Sequence, residues 1–388
     1  MPIAVYALGL AAFAIGTAEF VISGILPPVA FAMNVAISTA GLLVSAYALG
    51  VAIGGPLLTL VAARFDQRQV LIILMAVFAG AQMLCAIAPD YGLLLLARLL
   101  SSLCHGVFFG AGNVVVMQLV PPERRGKAFA LFIGGITIAN LLGLPGGTAI
   151  AVWFGWRSSF VAVGVLGLVA MLVLILRLPT TGRPSGPGSA TIDQFRALLH
   201  QQIWLSYLVI ALTMTGVMCF ATYSVPLLMH VTGLSPEIVP FFLLINGAGA
   251  VLGIWMGGEL TDWKPMPSLI VILVLQSLVF LALGIWGSNP NAMFVMLFTS
   301  GIVGFAFSTP LQARIVHAAR YAPNLASALT STAFNIGIAA GAFLGATLLE
   351  MGFPFADLPA VGIVTALLAA AVAGLSWWLE QRARPALA

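Results

Sequence analysis

Long apolar stretches recur along this chain, each closed by a short polar or proline-bearing break. A membrane-spanning helix needs about 20 predominantly apolar residues, because the hydrocarbon layer is about 30 Å thick and a helix rises about 1.5 Å per residue. The pattern predicts twelve such spans, near residues 4–26, 39–61, 69–88, 91–119, 127–150, 158–177, 203–228, 238–259, 267–286, 291–313, 324–349 and 358–380. Turn chemistry marks the breaks at Pro27-Pro28, Pro89-Asp90, Pro121-Pro122, Asn289-Pro290 and Pro323-Asn324. The longest polar interval, 178–200, lies near mid-chain. Its stretch from Thr180 to Ser189 reads as a flexible linker, and Ile192 to His200 as a short interfacial helix. The expected division is a six-helix bundle over 1–177, the linker over 178–200, and a second bundle over 201–388.

Composition removes the soluble alternatives. Of 388 residues, 61% are hydrophobic and 7% charged, whereas a soluble domain is about a quarter charged. The excess apolar surface has to face lipid, so the expected class is an all-α membrane protein. No basic stripe interleaved with aromatics suggests nucleic-acid binding. Cys85, Cys104 and Cys219 sit inside apolar runs without metal-ligand spacing and read as packing residues. Neither a metal nor an organic cofactor is expected. The start, Met1-Pro2-Ile3-Ala4, lacks the positive region of a cleavable signal peptide, so the first stretch is expected to remain as a span.

Charge placement orients the spans. With the N-terminus in the cytoplasm, the even-numbered loops and the tail hold Arg64, Arg68, Arg124, Arg125, Lys127, Arg177, Arg183, Arg196, Lys264, Arg314, Arg320, Arg382 and Arg384, which is 13 of the 15 basic residues. Only Arg157 falls on the other side, and Arg98 lies within a span. The positive-inside rule then expects both termini in the cytoplasm. The halves are also related. An offset of 199 residues aligns Pro27 with Pro226, Gly50 with Gly249, Gly54 with Gly253, and Ala63 with Asp262. Two such six-helix bundles are expected to place a substrate site between them near the membrane midplane.

Several motifs carry a resemblance. Gly16-Thr17-Ala18-Glu19-Phe20 with Gly24-Ile25-Leu26-Pro27, Arg98 with His105-Gly106, the segment Pro121 to Ala128, and Gly155-Trp156-Arg157 are similar to signatures of the major facilitator superfamily. Within it the chain resembles the drug/proton antiporters with twelve spans, in the branch of arabinose-efflux-like and chloramphenicol-efflux-like permeases. The resemblance implies the major facilitator fold, a bacterial inner-membrane location, a monomer, and a small-molecule substrate. It also implies gating roles for Arg64 and Arg68 in the loop after helix two, and for Gly258 and Asp262 at the matching place in the second half. That loop departs from the family pattern at Thr59, Ala63 and Asp66. The fifth-helix antiporter motif is partial, with Gly143, Pro145 and Gly147 as its gating members.

Ionisable residues at bilayer depth are few and point to function. Glu19 shares a small, polar face of helix one with Gly9, Ala12, Gly16 and Ser23, and that face is expected to line a cavity. Glu19 is the expected proton carrier; the alternative is a fixed, hydrogen-bonded acid. Arg98, placed in the coupling site by the resemblance, is expected to tune Glu19; the alternative is an Arg bonded to backbone carbonyls. His105 either relays protons or bonds helices together as a neutral group. Candidate substrate contacts are Asn140, Thr215, Thr222, Tyr223, Asn246, Phe305, Ser308, Gln312, Ser331 and Asn335. The expected activity is proton-coupled efflux of a small neutral or amphipathic molecule, phenicol-type or sugar-like. A facilitator or importer on the same fold is the near alternative. An intramembrane enzyme and a nucleotide-driven pump lack their motifs.

Overall fold

The structure is a computed structural model that describes residues 1–179, 200–318 and 323–383. The linker stretch 180–189, the segment 192–199 and the residues Arg183, Arg196, Arg320 and Arg384, used above for the linker and for orientation, lie outside the described residues. Among the described residues, twelve helices are long and apolar enough to cross a membrane. They are α1 (Ile3–Gly24), α2 (Ile37–Ala62), α3 (Gln67–Ile87), α4 (Tyr91–Gln118), α5 (Pro122–Phe154), α6 (Trp156–Arg177), α7 (Gln201–Thr222), α8 (Val239–Trp263), α9 (Pro265–Trp286), α10 (Pro290–Ala318), α11 (Leu329–Glu350) and α12 (Phe355–Arg382).

The breaks read from the sequence act through capping and kinking. Asp66, Asp90 and Asn289 are side-chain N-caps of α3, α4 and α10. Pro27 and Pro28 do not simply end the first span. They open a short helix, Leu26–Ala32, after a kink at Ile25 (φ −118°, ψ 15°). The second half repeats the device: Tyr223 (φ −108°, ψ 16°) precedes the short helix Ser224–His230, which contains Pro226. Gly155, at φ 85°, makes the sharp turn between α5 and α6. Five of the six exposed tryptophans among the described residues lie near helix ends, Trp153, Trp204, Trp263, Trp286 and Trp378, while Trp255 lies within α8. Amphipathic rings favour that level of a bilayer.

Two compact units divide the chain: Met1–Ser189 with Ser235–Leu244, and Ala190–Leu234 with Ile245–Ala388. In the first, α1 packs against α5 and α6, and α3 against α4 and α6. In the second, α7 packs against α11 and α12, and α9 against α10 and α12. Every pairing of the second unit is the pairing of the first advanced by six helices, so the duplication is structural.

Within the first unit, α2 and α5 share an irregularity. Gly50–Gly54 and Ala139–Gly143 form wide π-turns, and Pro56 and Pro145 follow two residues later. A proline ring clashes with the carbonyl four residues back and offers no N–H. Widening the preceding turn accommodates both defects without breaking the helix. Small residues let the neighbouring helices approach these turns. A Cβ on Gly143 would lie 2.2 Å from the Thr17 hydroxyl of α1, and one on Gly106 of α4 would lie 2.4 Å from the Gly55 Cα of α2.

Candidate functional site

Four polar side chains from three helices meet inside the first unit: Glu19 from α1, Tyr47 from α2, and Arg98 and His105 from α4. All four are more than nine-tenths buried, and Arg98 is wholly so. Arg98 and His105 are two helical turns apart, so they share one face of α4. That face meets α1 at Ala18 and Glu19 and α2 at Tyr47.

His105 stands at the centre. Its Nδ1 lies 4.0 Å from Oε2 of Glu19 and 3.2 Å from the Tyr47 hydroxyl. Phe109, one turn further along α4, packs on the imidazole with ring centroids 5.0 Å apart. Arg98 donates from Nη1 to the Ala18 carbonyl and from Nη2 to the Glu19 carbonyl at 3.5 Å. Both carbonyls lie within α1, and a carbonyl's second lone pair is open to such a donor. The guanidinium also sits 4.3 Å from the centre of the Tyr47 ring, a cation–π contact. Its Nε has no hydrogen-bond partner. Behind the cluster, the buried Gln82 of α3 donates from Nε2 to the Ser101 hydroxyl at 2.8 Å, and Ser101 lies beside Tyr47. A carboxyl, an imidazole and a phenol thus converge beside a fixed positive charge. Such a set can hold a proton and pass it on.

The sequence pointed to Glu19, Arg98 and His105, and the fold brings them together. It passed over Tyr47, Ser101 and Gln82. The signal was present: Tyr47 and Gln82 are polar side chains deep in apolar spans, where such residues mark sites. Arg98 reaches Glu19 through the backbone, the arrangement given above as the alternative to a tuning contact with its side chain. The small face of α1 also differs from expectation. Gly9 and Gly16 pack against Leu131, Ile136 and Ala139 of α5, and Ala12 against Gly135. Their size serves close helix contact, and Glu19 alone carries that face into the cluster.

The substrate candidates are dispersed. Asn140 lies in the α5 π-turn with its Oδ1 buried and unpartnered. Thr222 and Asn335 also hold buried oxygens without partners. Thr215 and Ser308 bond back to their own helices. Tyr223 donates to the Ala342 carbonyl at 2.9 Å, and Asn246 to the Leu297 carbonyl at 2.9 Å and the Ser300 hydroxyl at 3.0 Å. These last two join helices of the second unit. Phe305 is half-buried, and Gln312 and Ser331 are exposed.

Among the gating candidates, Arg68 donates from Nε to Leu178 and from Nη2 to Ile175, both at 2.7 Å. It thereby closes the carbonyl end of α6, where a cation is favoured. Arg64 and Asp262 are exposed and Gly258 half-buried. Gly143 and Gly147 let α5 approach Thr17 and Val21 of α1, with Pro145 buried between them.

The comparisons agree with this architecture. The Major Facilitator Superfamily profile matches residues 8–342. The inner membrane transport protein YdhP of Escherichia coli strain K12 is 37% identical over 363 residues, covering 94% of this chain and 93% of that protein. A chloramphenicol resistance protein of Streptomyces lividans is 31% identical over 353 residues, covering 90% of each. A bacterial homolog of the human lysosomal transporter Spinster, solved inward-facing and occupied, superposes with a TM-score of 0.77 over 96% of both chains at 18% identity, a likeness of fold. The chain belongs to the Major Facilitator Superfamily: it is a twelve-span transporter of the bacterial inner membrane, not an enzyme.

Proposed function

We propose that the protein is a proton-coupled efflux antiporter for a small neutral or weakly amphipathic molecule, of the phenicol or sugar type. Both termini lie in the cytoplasm, on the side that 13 of the 15 basic residues favour. The observation that carries the reading is the placement of the Glu19 carboxyl 4.0 Å from His105, buried in the first unit with Arg98 bound to the same turn of α1. A buried ionisable group at bilayer depth costs several kcal/mol and persists where it has work to do. In this reading Glu19 takes a proton from the outer side and releases it to the cytoplasm, and each exchange drives one step of alternating access. Efflux as the direction draws on the name of the chloramphenicol resistance relative and on the partial fifth-helix motif.

Purified protein in proteoliposomes tests it, with radiolabelled chloramphenicol and arabinose as probes. An imposed pH difference is expected to drive accumulation of one probe against its gradient, and Glu19→Gln in the folded protein to reduce that to the leak. Accumulation that persists after the pH difference is collapsed, with no other ion gradient present, rejects the reading.

A further inference from the structure

We propose that Tyr47 is a positioning residue whose hydroxyl, by donating to Nδ1 of His105, decides when that nitrogen is free to take the proton of Glu19. The inference deepens the antiport reading and rests on it for its consequence in transport.

Nδ1 of His105 faces two groups, the Tyr47 hydroxyl at 3.2 Å and Glu19 Oε2 at 4.0 Å. An imidazole nitrogen carries either one lone pair or one hydrogen, so it serves one of them at a time. The residues behind Tyr47 set the direction of its bond. Gln82 Nε2 donates to the Ser101 oxygen, which leaves the Ser101 hydrogen for Tyr47. The Tyr47 hydrogen is then left for Nδ1. His105 is held neutral, with its own hydrogen on Nε2. A chain of three donors, Gln82 to Ser101 to Tyr47, thus ends on the one nitrogen that Glu19 can reach.

The transfer step balances as a proton transfer alone. The Tyr47 hydroxyl turns away, the Glu19 O–H bond breaks, and an N–H bond forms at Nδ1. A carboxylate and an imidazolium result, with no change of oxidation state. The charged and titratable groups that face His105 are Glu19 from α1, Tyr47 from α2 and Arg98 from α4, with Cys85 of α3 beside Arg98 and Cys104 of α4 beside Tyr47. α5 carries no ionisable side chain between residues 128 and 154. Tyr47→Phe removes the hydroxyl and keeps the ring against Arg98.

Nitrogen-15 NMR of histidine-labelled protein in nanodiscs reads the bond without any substrate. The chain has four histidines, and His105→Asn identifies the resonances of His105. In the native protein Nδ1 is expected to be unprotonated and hydrogen-bonded. In Tyr47→Phe its resonance is expected to move to the position of a free imidazole nitrogen. A protonated Nδ1 in the native protein, or an unchanged resonance in Tyr47→Phe, overturns the proposal. In proteoliposomes, Tyr47→Phe is expected to move the pH midpoint of chloramphenicol export about one pH unit to the alkaline side, since freeing Nδ1 gives the Glu19–His105 pair a stronger hold on its proton and one hydrogen bond has about that worth. An unmoved midpoint also overturns it. Export by Glu19→Gln that still follows the pH difference removes Glu19 from the coupling role, and native export that persists once the pH difference is collapsed rejects the antiport reading; in either case the nitrogen resonances still decide the hydrogen bond.

Discussion

The same helix crossing occurs twice in this chain, once charged and once neutral. The 199-residue offset places Tyr47 on Asn246, Arg98 on Leu297, Ser101 on Ser300, His105 on Gly304 and Glu19 on Met218. The caps correspond too, Asp90 starting α4 and Asn289 starting α10. In the second unit the crossing of α8 and α10 is held by Asn246, which bonds the Leu297 carbonyl and the Ser300 hydroxyl. In the first unit the same positions carry a guanidinium, a phenol, an imidazole and a carboxyl. The backbone differs in parallel. α2 and α5 contain π-turns ahead of Pro56 and Pro145, while Trp255 and Leu344 stand at the matching places in α8 and α11, which run as unbroken α-helices. A neutral crossing suffices to build the fold, so the charges of the first unit answer to something other than folding.

Converting the charged crossing to its neutral counterpart sharpens this contrast most. In Arg98→Leu, chloramphenicol export driven by a pH difference is expected to fall at least about tenfold, the factor that about 1.4 kcal/mol of lost interaction produces. Replacing both members of a buried charged pair by hydrophobes is often close to neutral in stability, whereas removing one leaves the other uncompensated, so Arg98→Leu with Glu19→Met, the residues at the matching places of the second unit, is expected to melt in detergent near the native temperature. A double variant that melts much earlier would show that the charges hold the bundle together. The next effect is on folding in both units equally. A Cβ on Gly106 meets the Gly55 backbone at 2.4 Å, and one on Gly249 meets the Phe298 carbonyl at 2.1 Å. Backbone cannot give way as a side-chain tip can, so Gly106→Val and Gly249→Val are each expected to cost about 2–4 kcal/mol in denaturant unfolding. A large loss in one unit alone would mean that the two crossings are not packed alike.

The fold was legible because lipid imposes a simple rule: twelve apolar runs of sufficient length, separated by caps and prolines. Asp90 and Asn289 were readable as breaks because their side chains compete for the first amides of a helix, a role that Asp66 shares but that the sequence reading passed over. The kink at Ile25 was less so, since Pro27 reads equally well as an end or as the start of a new turn. Of the site, the three ionisable members stood out by their cost in a membrane. Tyr47 did not, because a tyrosine is apolar enough to pass as packing, and its partners lie 51 and 58 residues away on another helix. Glycine and alanine on α1 were misread as lining a cavity. Small size marks an open face and a close helix contact alike, and only the position of α5 separates the two.

The smallest effect tests the neutral side of the comparison. Asn246 donates twice across to α10, and hydrogen bonds between membrane helices contribute about 0.6 kcal/mol each on average. Asn246→Ala removes both and leaves a small void, so a loss of about 1–2 kcal/mol is expected in denaturant unfolding. The pH midpoint of chloramphenicol export is expected to stay where it is in the native protein, because no titratable group faces Asn246 across that crossing: Leu297, Ser300 and Gly304 occupy the places of Arg98, Ser101 and His105. Tyr47→Phe, at the matching position of the first unit, is expected to do the reverse, moving the midpoint at little cost to stability. If both substitutions moved the midpoint alike, the proton would be sensed across both units, and the assignment of charge handling to the first unit alone would fall.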